Sequence, residues 1–123
     1  MIAAHMATIL WVTGIITAVP VVQFLLPRTG LRLLSGLSIE DEGGRFFARH
    51  WGLCCASIGA LLCYAATAPA ARSAIVGAVV VEKLGLVALV ALSWNRPFAR
   101  GLRLSAGFDA LCSAVYLAYL LGG

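Results

Sequence analysis

Apolar residues run through this chain in four long blocks, and the short stretches between them hold almost all of its charge. A hydrocarbon core about 30 Å thick needs roughly 20 predominantly apolar residues of helix. The blocks meet that length and predict transmembrane helices over about 2–26, 46–67, 73–94 and 102–121. The segment between the first two, about 28–42, is too polar and broken to cross. Its Arg28, Arg32 and Ser35 share one helical face, which suits a short segment lying on the membrane surface. The connections after Thr67 and Trp94 are tight, so consecutive spans should be antiparallel neighbours. The expected fold is an all-α membrane protein, an antiparallel four-helix transmembrane bundle forming one domain over 1–123.

Local chemistry refines each element. Met1–Met6 has no lysine or arginine, so the first block reads as a retained span rather than a cleaved leader. Pro20 should kink that span, and Thr13 and Thr17, one turn apart, can bond back to helix carbonyls. Ser38-Ile39-Glu40-Asp41 reads as a capping box for the second span, with Gly43-Gly44 delaying its start toward Arg45. Asn95 is the expected cap for the last helix, with Pro97 in its first turn. Two small-residue ridges, Gly52/Ala56/Ala60 and Ala106/Ala110/Ala114/Ala118, allow close approach of another helix. They predict a homo-oligomer or a membrane-protein partner.

Composition agrees with a membrane origin: 62% of residues are hydrophobic and 11% are charged, with mean hydropathy +0.99. The net charge of +4 would suggest nucleic acid in a soluble domain. Here the arginines flank apolar spans, so headgroups of membrane lipid are the better partner and no nucleic acid is expected. Arg28, Arg32, Arg45, Arg49, Arg96, Arg100 and Arg103 fall in the first and third connections, and Arg72 alone falls on the other side. The positive-inside rule then predicts a multi-pass protein of the cell (inner) membrane with both termini outside.

Candidate chemistry centres on the third span, which carries Glu82 and Lys83 near its middle. A charge at that depth costs at least ~2.5–3.5 kcal/mol, so the pair should avoid lipid. The two side chains diverge by about 100° on a helix. Glu82 is therefore expected to turn inward as the main ionisable group, with Lys83 extending along its stem toward the outer surface. Asp109, His50 and Gln23 complete the candidate ligand- or ion-binding set, nearer the cytoplasmic interface. His50, Asp109 and Glu82 could form a graded polar path. Alternatively Asp109 forms one buried bridge, with His50 or Lys83, that holds helices in register.

The cysteines carry no metal-binding spacing, and vicinal Cys54-Cys55 reads as packing, so no metal is expected. His5 and His50 fall at opposite membrane faces and cannot clamp a haem within one protomer, so no cofactor is expected. The segment ARHWG at Ala48–Gly52, the alanine- and glycine-rich span around it, and Glu82-Lys83 together resemble small bacterial four-span integral membrane proteins of unassigned function. That resemblance implies the four-span fold and no site residues. The first span lacks the glutamate found in small multidrug exporters of similar length.

Three functions are compatible with these features. The first is a protein that binds or transports a lipophilic or cationic small molecule through a polar site inside the bundle. The second is a non-catalytic subunit or anchor of a larger complex. The third is a membrane enzyme acting on a lipid, sterol or quinone with Glu82 or Asp109 as acid/base.

Overall fold

The computed structural model describes residues 2–122 and is helical throughout, with no strand among the described residues. The terminal Met1 and Gly123, to which the expectation about the chain ends extends, lie outside them. The helices are α1 (Ile2–Ala18), α2 (Val21–Leu25), α3 (Pro27–Ser35), α4 (Glu42–Thr67), α5 (Pro69–Leu92), α6 (Pro97–Arg100) and α7 (Arg103–Leu120). Three stretches are long and apolar enough to cross a membrane: Ala4–Leu25, Glu42–Thr67 and Pro69–Leu92. The last long helix, α7, is shorter and begins on Arg103.

Four long helices pack in a closed ring, α1 against α4 and α7, and α5 against α4 and α7. The chain leaves helix at Val19-Pro20, where proline has no N–H to continue the ladder, and resumes as α2. A second proline opens α3, which ends on Gly36 in the left-handed conformation at φ 67. This short helix turns its Gly30, Leu31 and Ser35 inward. Gly30 lies against the backbone of Gln23, and Gly101 against that of Ser35, so α3 is held over one end of the bundle.

The start of α4 differs from expectation. Asp41, extended at ψ 144, is the cap and accepts from the Gly44 N–H at 2.6 Å. Ser38 instead donates to Glu40 Oε1 at 2.7 Å, and this bond, with nearby arginines, holds the exposed Glu40 carboxyl below its ordinary range. An aspartate one residue from the helix serves both the orphan N–H groups and the helix dipole, which outweighs the local cost of Gly43-Gly44. Asn95 does not cap either; Arg96 precedes Pro97 at the start of α6, with no side-chain cap bond.

Close contact of α1 with α4 depends on glycine. A Cβ on Gly59 would come within 2.5 Å of the Gly14 carbonyl oxygen, and one on Gly52 within 2.6 Å of the Pro20 oxygen. The buried ridge of α4 is thus Gly52, Cys55 and Gly59, spaced by three and four, with Gly59 against α1 and Gly52 against α2 and the Pro20 bend. Of the expected ridge, Ala56 is half-buried and Ala60 exposed. On α7, Ala106 is buried while Ala110 and Ala114 face outward.

The interior divides lengthwise. One half is an apolar core of Met6, Leu10, Leu62, Val76, Val80 and Tyr116 with their neighbours. Its boundary is a bond between the Thr13 and Tyr116 hydroxyls, and Thr13 also donates to the Ile9 oxygen at 2.7 Å. Arg72 closes that end by donating to the Ala65 and Ala66 oxygens, each at 2.9 Å. The other seven arginines belong to the opposite end, on α3, on α6 and just before it, and in the first turns of α4 and α7. Polar side chains occupy the half nearer to them.

Candidate functional site

Below the Thr13–Tyr116 bond the four long helices separate around a cavity of about 450 Å³. Pro20 lines the cavity directly, at the break between α1 and α2. Polar groups reach the cavity from four helices: Thr17 of α1, Cys55 of α4, Glu82 and Lys83 of α5, and Ser105 and Asp109 of α7. Apolar walls come from Ile16, Trp51, Leu86 and Phe108, with Leu33 and Leu34 of α3 at the arginine-bearing end.

Lys83 is the centre of this arrangement. Its Nζ donates to Asp109 Oδ1 at 2.8 Å and to Thr17 Oγ1 at 3.2 Å, and stands 5.0 Å from the Phe108 ring centroid. The ammonium therefore meets a carboxylate, a hydroxyl and an aromatic face supplied by two other helices. Its side chain is 2% exposed and that of Asp109 10%. Lys83 does not extend to the outer surface as expected; a carboxylate on the facing helix is a better partner than a distant headgroup. Of the two bridges considered for Asp109, the one to Lys83 forms.

Glu82 sits beside this pair without joining it. Its side chain is half-buried and lines two cavities: the central one, and an outward groove of about 280 Å³ between α4 and α5. Its Oε2 is buried with no hydrogen-bond partner among the described residues. A buried carboxyl oxygen without a donor is costly, which marks the place where a donor is missing.

The other expected site residues lie elsewhere. Gln23 is fully buried and donates through Nε2 to the Ala48 oxygen at 2.5 Å, tying α2 to α4. His50 is exposed, near the Cys54 thiol at 3.7 Å, and lines a different cavity from Glu82 and Asp109. The structure thus gathers Glu82, Lys83 and Asp109 and separates them from His50 and Gln23. Sequence reasoning did not place Thr17, Ser105 or Phe108 with them. The available signal was the spacing of Ser105, Phe108 and Asp109, which share one face of α7.

No grouping of three or more potential metal ligands occurs among the described residues. The chemistry on offer is that of one buried ammonium, two carboxyl groups and two hydroxyls inside apolar walls. Comparison with protein-family models, curated proteins and solved structures finds no match for this chain.

Proposed function

We propose that this is a four-span integral membrane protein that binds an amphiphilic small molecule with a cationic or hydrogen-bond-donating head. The supporting observation is the unanswered Glu82 Oε2, beside a Lys83–Asp109 pair that already satisfies itself. Asp109 already takes up the one ammonium, so a ligand cation or donor would answer Glu82. The cavity, about 450 Å³ with mostly apolar walls, has the size and lining of small-molecule sites. The groove shared by Glu82 offers such a ligand a route from the lipid side, which supports a binding or transport role. α7 is the fourth span in this reading. Its 18 residues extend ~27 Å at 1.5 Å per residue, close to the hydrocarbon thickness.

The membrane in question is the cell (inner) membrane, with both ends of the chain outside and the arginine-bearing end in the cytoplasm. A second reading, an oligomer or subunit of a complex, is favoured by the outward-facing Ala110 and Ala114.

The lipophilic cation tetraphenylphosphonium tests the first reading by equilibrium dialysis in mild detergent. The wild-type protein should bind it saturably. Glu82→Gln should weaken binding roughly tenfold or more, as loss of a contact to a charged group does, with the melting point unchanged. Equal binding by Glu82→Gln, or no saturable binding to the wild type, would overturn the proposal.

A further inference from the structure

The second large cavity, about 560 Å³, lies at the arginine-bearing end and shares no residue with the central one. We propose that it holds the phosphate headgroup of an anionic membrane phospholipid. One wall is formed by Phe24 of α2 and Pro27, where the chain passes from α2 to α3. The first turns of α4 run alongside, placing Arg45, Phe46, Arg49 and His50 around the opening opposite Phe24 and Pro27.

Arg45 and Arg49 are one helical turn apart, so both guanidinium groups lie on one face. Arg49 is oriented from within the protein: its Nε donates to the Phe24 oxygen at 3.1 Å, and its guanidinium lies 5.4 Å from the Phe24 ring centroid. Those contacts leave its two terminal nitrogens for a ligand. Glu42 also borders the cavity but forms no ion pair with either arginine among the described residues. Two arginines against one carboxylate leave a positive site. A guanidinium matches phosphate oxygens in a bidentate fork, which a lysine does not.

The apolar half of the cavity selects the source of the phosphate. Phe46 of the lining is 67% exposed, and its neighbour Phe47, outside the cavity, is 72% exposed; both stand where the apolar part of α4 begins. Aromatic rings next to arginines at a span end fit the headgroup and glycerol level of a bilayer. Dissolved phosphate would leave those rings uncovered, whereas a phospholipid covers them with its ester and upper acyl region. The proposal rests on membrane insertion and is independent of the ligand assigned to the central cavity.

Native mass spectrometry after equilibration with mixed micelles of equal phosphatidylglycerol and phosphatidylcholine provides the test. The wild type should retain phosphatidylglycerol preferentially. Arg45→Gln should reduce that retention about fivefold, the effect of ~1 kcal/mol per arginine at a membrane surface. Arg49→Lys should also reduce it, since it keeps the charge and loses the fork. Arg96→Gln/Arg100→Gln serves as the control, because these arginines share the end of the bundle but not the cavity. That control should stay within about twofold if binding is local rather than a general attraction. Equal losses in the control and in Arg45→Gln would overturn the site, as would unchanged retention in Arg45→Gln with an unaltered melting point. Displacement of the lipid by excess inorganic phosphate would also overturn it, in favour of a free-anion site.

Discussion

Removing one member of the Lys83–Asp109 pair should be far more damaging than removing both. At 2.8 Å and an effective dielectric constant of about 20, the pair attracts by roughly 6 kcal/mol before solvation is counted. Desolvating two ions costs several kcal/mol each, so the intact pair contributes little net stability. Asp109→Asn alters that balance. Lys83, 2% exposed, would keep the Asn amide oxygen, the Thr17 hydroxyl and the Phe108 ring, none of which carries the opposite charge. The expected loss is ~3–5 kcal/mol. For a chain of this size that lowers the melting point by on the order of ten degrees or more. The double variant Lys83→Met/Asp109→Leu fills similar volume without charge and should recover most of the loss, to within about 1–2 kcal/mol of the wild type. Heating the detergent-solubilised proteins and measuring the remaining folded fraction by size-exclusion chromatography reads all three. An Asp109→Asn protein as stable as the wild type, or a double variant no better than the single, would refute this account of the pair.

Three further outcomes are expected. Gly59→Ala should lose about 1–3 kcal/mol by overpacking against the Gly14 carbonyl, whereas Gly77→Ala, whose Cβ meets open space, should be neutral or gain up to ~1 kcal/mol in helix propensity; thermal unfolding compares them. In a background free of the four native cysteines, Ser38→Cys should react with a membrane-impermeant maleimide only after cells are opened, and labelling in intact cells would reverse the proposed orientation. Ala114→Leu, on the exposed face of α7, should leave the protomer folded and remove any higher oligomer on size-exclusion with light scattering; an unfolded protomer would place Ala114 inside the bundle.

The helices and their antiparallel order were legible because each apolar block is bounded by proline, glycine or arginine. The kink at Pro20 was legible for the same reason: a missing N–H acts whatever surrounds it. What faces the interior of α5 was not. That helix is apolar on every side, so no periodicity marks a buried face, and two adjacent charges about 100° apart give contradictory cues. The choice fell to Lys83 because Asp109, Thr17 and Phe108 converge on it from other helices. The glycine contacts were hidden in the same way. Gly52 and Gly59 matter because Pro20 and Gly14 lie opposite them, and a repeat counted on one helix cannot reveal its neighbour's backbone. His50 and Trp51 part into different cavities, as adjacent helical positions about 100° apart can, and which of the two meets the interior is set by the helices packed on α4.

Arg72 bears on the order in which the chain assembles. Its bonds to the Ala65 and Ala66 oxygens span six and seven residues, and the turn between them needs no other part of the protein. The corner joining α4 to α5 can therefore close as soon as both strands of the turn have left the ribosome, at small loop-closure entropy. Docking of α1 must wait for the glycine notch of α4, 45 residues further along the chain (Gly14 against Gly59). The Lys83–Asp109 bond must wait for α7, the last helix made. Biogenesis thus runs from a first helix docked on α4, through the self-closing α4–α5 corner, and finishes with the ion pair. Until α7 arrives, Lys83 lacks its carboxylate, making the three-helix intermediate the stage most exposed to quality-control proteases.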